Sequence, residues 1–167
     1  MPRSRLLRQK FAVAALLCVG ANVLLPVWAY LVGGAFFGFG PARSPLGGQF
    51  DTGESLLRML VVVAYVCVTL LKFAAFAFLL STMVDNPLGA VGGAVMLAVL
   101  SSIIDQITAL GSYRSYLPTH FDYAWVDTLS APIVWDDMMR GAGLSLIYSA
   151  VFLGWAWLRF DRKDITS

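Results

Sequence analysis

A chain of 167 residues that is 59% hydrophobic and only 13% charged, with a mean hydropathy of +0.75, is too apolar for an ordinary soluble domain, where about a quarter of residues are charged. The formal net charge of +2 by itself says nothing about nucleic acid, and no nucleic-acid partner is expected; the distribution of charge matters more. The two cysteines, Cys18 and Cys67, lie inside apolar runs and read as packing residues, not as a disulfide or a metal pair.

In chain order, residues 1–10 form a basic tail carrying Arg3, Arg5, Arg8 and Lys10. Residues 11–32 are the first apolar run. It exceeds the roughly 7–15 residues of a secretory signal core and no convincing cleavage site follows, so an uncleaved first span is expected. Pro26 should kink it. Asn22, one turn earlier, reads as an interhelical packing residue, the alternative being a bond to a carbonyl freed by the proline.

Residues 33–55 begin GGAFFGFGPARSPLGGQFDTG and show no helical periodicity. Pro41, Pro45 and several glycines punctuate a loop in which Phe36, Phe37 and Phe39 dip into the membrane interface. Thr52, Gly53, Glu54 and Ser55 offer cap chemistry for the next helix.

Residues 56–80 and 88–110 are two apolar arms. Each has more than about 20 residues, enough at 1.5 Å per residue to cross a ~30 Å hydrocarbon core. The break between them, residues 81–87 (STMVDNP), is so short that the arms must be antiparallel neighbours. Pro87 suits the first turn of the second arm, with Asn86 or Asp85 as its cap. Gly89 and Gly93 form a small-x-x-x-small pair suited to helix packing in lipid.

Residues 111–140 mix Tyr113, Tyr116, Tyr123, Trp125 and Trp135 with Asp122, Asp127, Asp136 and Asp137. Such aromatics favour the membrane–water interface, so short helices lying in or dipping into the surface are expected. Residues 141–158 form a fourth span between Arg140 and Arg159, about 27 Å long as helix. The polar tail, residues 159–167, carries Arg159, Arg162 and Lys163.

The expected fold is all-α: one polytopic transmembrane domain of four helices, with re-entrant or interfacial helices between spans three and four. Four spans put both basic termini on one side. The positive-inside rule places them in the cytoplasm of a plasma membrane, together with the 81–87 break, and sends residues 33–55 and 111–140 outward.

Of the charges in the apolar arms, Lys72 and Asp105 are the candidates for a transport path. Lys72 sits mid-span, where an ionisable group costs at least ~2.5 kcal/mol and implies a role in a transport path. Snorkelling toward the inner headgroups is the competing reading. Asp105 lies near the outer end of the third span. A Lys72–Asp105 pair would need to bridge roughly 10–15 Å along the membrane normal, so Gln106, Arg114 or water are the expected partners of Asp105.

Nothing in the chain points to an enzyme. His120, the only histidine, reads as solvated or interfacial and cannot build a multi-histidine metal site. The adjacent carboxylates Asp136 and Asp137 would point about 100° apart on a helix and serve as cap residues. There is no G-x-S-x-G elbow and no phosphate-binding G-x-x-x-x-G-K-[ST] loop, so no catalytic residue, cofactor or metal is expected.

Several stretches resemble the permease subunits of ATP-binding-cassette transporters, the ABC type-2 permeases. They are LLSTMVDNPLGAVGGAV (79–95), LPTHFDYAWVDTL (117–129), WDDMMRGAGLSLIYSAVFLGWAWLRF (135–160) and the tail WLRFDRKDITS (157–167). PRSRLLRQKF (2–11) is similar to the basic loop that those permeases carry before their third span. The resemblance implies an exporter subunit that pairs with a second permease unit, as homo- or heterodimer, and with separate ATPase subunits. It implies docking of the ATPase on residues 1–10 and on Ser81, Thr82, Asp85, Asn86 and Pro87. Members of that family usually have six spans, so an N-terminal pair looks missing here. A small four-span scaffold or assembly protein without an ATPase is the alternative.

Overall fold

Among the described residues, four stretches are long and apolar enough to cross a bilayer: Phe11–Phe37, Thr52–Ser81, Pro87–Asp105 and Asp136–Arg159. The computed structural model describes residues 3–44, 49–84 and 86–162. Its helices are α1 (Arg3–Phe37), α2 (Thr52–Ser81), α3 (Pro87–Asp105) and α4 (Asp136–Arg162). Two 3-10 helices, Thr108–Tyr116 and Ala124–Leu129, lie between α3 and α4. The chain is an all-α, multi-pass membrane protein.

α2 is the central element and packs on each of the other three helices, most extensively on α4. Small side chains let the backbones approach, as helix association in lipid requires. Ala75 of α2, Ala90 and Ala94 of α3 and Ala156 of α4 are all buried. Gly93 faces α2 so closely that a Cβ there would lie 2.5 Å from Leu80 Cδ1, and one on Gly89 would lie 3.3 Å from Val84 Cγ1. Aromatic contacts complete the seams: Phe76 meets Phe152 at 4.9 Å, and Phe11 meets Phe78 edge-on at 5.4 Å.

The helix boundaries differ from those expected of the sequence, each for a local reason. α1 begins at Arg3 and not at residue 11, because the basic stretch is rich in helix-forming Arg, Leu and Lys. It also runs through Gly33 and Gly34 to Phe37, so the 33–55 loop starts as helix. Gly38 ends it at φ +80°, the left-handed conformation that favours glycine. Pro26 lies inside α1, and the carbonyl it leaves without a donor is that of residue 22. The Asn22 amide instead donates to Cys18 O at 3.3 Å, within its own helix, so it neither repairs the proline nor bridges helices.

The rest of that loop forms a two-residue antiparallel ladder, β1 (Ala42–Arg43) with β2 (Gln49–Phe50). Pro45 and its neighbours lie outside the described residues. The residues expected to cap α2, 52–55, are already helical, and Asp51 occupies the cap position. α3 stops at Asp105, five residues before the expected end. Ile107, Ala109 and Leu110 continue the apolar run, but Ile107 is extended and Ala109 and Leu110 belong to the first 3-10 helix. α4 starts at Asp136, with Asp136 and Asp137 in its first turn where the helix dipole favours acids. Its 27 residues make it about 40 Å long, so it is not the short span expected.

Candidate functional site

One face of α2 is polar. Arg58, Tyr65, Thr69, Lys72, Ala75 and Leu79 are its buried residues, and their separations of seven, four, three, three and four place them on one stripe. A polar stripe on a membrane helix must face protein or water, not lipid. Here it faces α4 and the 106–135 segment.

That segment enters the bundle as irregular chain. Non-helical backbone at membrane depth survives only where its polar groups find partners in the protein. Side chains of the surrounding elements supply them. Arg58 Nη1 donates to the carbonyls of Thr128 and, at 2.8 Å, Ser130. Tyr65 donates to Phe121 O at 2.5 Å, Tyr148 of α4 to Tyr116 O at 2.5 Å, and Ser44 to Leu129 O at 2.8 Å. The hydroxyls of Ser101 on α3 and Thr119 meet at 2.7 Å. Glu54 holds the Arg58 fork from one turn earlier at 2.7 Å, and the guanidinium lies 3.8 Å from the centre of the Phe50 ring. The contacts from Arg58 to Lys72 cover 14 residues of α2, about 21 Å of its axis, so the segment is re-entrant and not merely interfacial.

Glycine makes the close approach possible where α4 passes this point. A Cβ on Gly141 would lie 2.6 Å from Phe121 Cβ and would also collide with the Tyr65 hydroxyl.

Lys72 differs from the other contacts of this face. Its ammonium bonds not to a carbonyl but to the Asp122 carboxylate, with Ser145 Oγ of α4 at 3.4 Å. Lys72 is nine residues from Ser81, about 14 Å along the helix, and its side chain is 2% exposed. It therefore turns into the bundle, and the snorkelling reading does not hold. A pair at this depth costs desolvation that only good geometry and extra hydrogen bonds offset.

Lys72 and Asp105 are not brought together. Asp105 accepts a contact from His120 Nδ1 at 2.6 Å and faces Arg114 Nε at 3.4 Å. Arg114 was one of its expected partners. His120 was not, and this histidine is half-buried against α3, not solvated. Asp122, Tyr65, Arg58 and Ser145 went unrecognised in the sequence. The signal for three of the contacts was present in α2, where Arg58, Tyr65 and Lys72 recur at helical spacing.

The α2–α3 break is a compact turn. Ser81 Oγ donates to Phe78 O and Thr82 Oγ1 to Leu79 O, each at 2.7 Å, closing the end of α2. Asn86 is the cap of α3, its Oδ1 accepting from Leu88 N at 3.0 Å, and Pro87 is the first helical residue. Asp85 lies outside the described residues. Among the described residues no three His, Cys, Asp or Glu side chains gather to hold a metal ion.

Residues 1–166 match the family model described as "Protein of unknown function (DUF2705)", and the chain belongs to that family. No curated protein and no solved structure matches it.

Proposed function

We propose that this member of the DUF2705 family is the transmembrane permease subunit of an ATP-driven ABC transporter, an exporter in the plasma membrane with both termini in the cytoplasm. It forms the substrate path together with a second permease subunit, and separate ATPase subunits supply the energy. The observation that carries this reading is the re-entrant segment seated against α2, α3 and α4, with the charged pair Lys72–Asp122 at mid-depth. Ionisable residues at that depth mark transport paths by default. The described residues of the α2–α3 turn, 81–84 and 86–87, add support. Their hydroxyls close α2 and their asparagine opens α3, so a push from a soluble partner would reach both helices.

A second reading, a four-span scaffold or assembly protein, draws on a different feature. Arg58, Tyr65 and Lys72 all bond within the chain, so the polar face needs no substrate to satisfy it. Purification of the tagged chain from its native membrane in mild detergent, followed by mass spectrometry and an ATPase assay, separates the two. Co-purification of an ATPase with a phosphate-binding loop, and ATP hydrolysis by the complex, is the expected result. A chain recovered without any ATPase, at matched membrane levels and under several detergents, would overturn the transporter reading and favour the scaffold.

A further inference from the structure

The two partners of the mid-membrane ion pair share a bond but not an environment. The Lys72 side chain is 2% exposed and that of Asp122 is 22% exposed. The ammonium is sealed between α2, the segment and Ser145 of α4, whereas the carboxylate reaches the bundle surface beside Tyr123, which is 75% exposed. Of the two partners, the carboxylate is therefore the one that a proton can reach first.

The segment that carries Asp122 is weakly seated by apolar contact. Among its described residues, 106–135, only Thr119 and Thr128 are buried, and both are polar. Hydrogen bonds hold the rest. The bonds from Arg58, Tyr65, Tyr148 and Ser44 end on main-chain carbonyls, which do not titrate. Among the described residues, the Lys72–Asp122 contact is the one between this segment and α2 whose charge pairing a single proton removes. Once the carboxyl is neutral, the lysine is left as a buried charge without a counter-charge, beside Ser145 Oγ at 3.4 Å and the Phe73 ring at 5.0 Å, a state costly enough to draw in water or expel the segment.

We propose that Asp122 is a protonation site, and that a proton taken from water onto its carboxylate releases the segment around residues 117–123 from Lys72 and admits water to the bundle interior. The inference needs only the four-helix fold and does not rest on an ATPase partner. Several ionisable groups surround the site. Lys72 and Tyr65 come from α2, Asp137 from α4, and Asp127 and His120 from the segment. Asp105 of α3 acts through His120.

The test uses the full chain in membranes, with Cys18→Ala and Cys67→Ala as background. A water-soluble methanethiosulfonate reagent labels Thr119→Cys, at a position 7% exposed, and the rate is divided by that of Tyr113→Cys, at a position 76% exposed. The ratio cancels the pH dependence of the thiolate. It should rise about tenfold between about pH 7.5 and about pH 5, the factor that corresponds to one pK unit of differential proton affinity. Asp122→Asn should give the high ratio at both pH values. The paired replacement Lys72→Met with Asp122→Leu, which removes both charges of the pair, should give the low ratio at both. It keeps the test decisive if the single variant does not accumulate. His120→Gln should retain or enlarge the acid response. A flat ratio in the parent, an unchanged ratio in Asp122→Asn, an acid rise that survives the paired replacement, or one lost in His120→Gln would each overturn the proposal.

Discussion

The Tyr65 hydroxyl donates to the main-chain carbonyl of Phe121 at 2.5 Å, so a side chain in the middle of α2 completes the backbone hydrogen bonding of a segment 56 residues away. The phenol ring also fills the space beside Gly141. Tyr65→Phe keeps the ring and removes only the donor. Leaving a buried carbonyl without a partner costs about 1–3 kcal/mol. The expected outcome is a lower thermal midpoint in detergent at unchanged helix content, measured by circular dichroism. An unaltered midpoint would show that water replaces the tyrosine.

Gly141→Ala should destabilise the same seam, because its Cβ would stand 2.6 Å from Phe121 Cβ. Overpacking of this kind costs about 1–3 kcal/mol. Gly143→Ala is the matched control, since a Cβ there meets nothing within 4 Å. The difference in thermal midpoint between the two variants checks the path of the re-entrant segment across α4.

Arg58→Lys should not rescue Arg58→Met. The guanidinium reaches two carbonyls through one nitrogen and the Glu54 carboxylate through two others, a fork that a single ammonium cannot reproduce. Both variants should therefore leave at least one carbonyl unsatisfied, at about 1–3 kcal/mol, and increase protease cleavage within residues 124–132. Equal protease resistance of Arg58→Lys and the parent would show that charge alone matters there.

Lys72→Met alone should be far more harmful than Lys72→Met combined with Asp122→Leu. Removing one partner of a buried pair costs about 3–5 kcal/mol, whereas replacing both by apolar groups of similar size is often neutral. Membrane levels and thermal midpoints of the two variants give the comparison. A double variant as unstable as the single one would mean that the pair contributes net stability.

The α2–α3 turn separates capping from docking. Asn86 caps α3, so Asn86→Ala should cost about 1 kcal/mol of stability and leave any partner bound. Asp85→Lys, beside the cap, should lower recovery of an ATPase in a pull-down at matched membrane levels. Undiminished recovery would remove Asp85 from the docking surface. A reporter fused after Ser167 should read cytoplasmic and one inserted near Gly47 external, and the reverse pattern would invert the proposed topology.

The sequence by itself determined the fold class. Hydropathy and length are local properties, and the energetic demand that a membrane span be apolar and about 20 residues long is strong enough to be read without neighbours. The antiparallel arrangement of α2 and α3 was legible for the same reason, since a seven-residue break permits nothing else. The helix ends were less so. α3 gives way to a 3-10 segment although the apolar run continues through Leu110, because the chain turns back into the bundle and hydropathy cannot tell a lipid-facing residue from one facing protein. The partners of the site were decided only by tertiary structure. Lys72 stood out as a charge in an apolar run, but its counter-charge is 50 residues away in a stretch that reads as short re-entrant or interfacial helices. Asp105 likewise stood out, and geometry gave it His120, a residue with no distinguishing pattern around it. What the sequence held, unread, was the stripe of Arg58, Tyr65 and Lys72. Its helical spacing announces a polar face, and the re-entrant backbone that needs those donors explains why an apolar helix carries them.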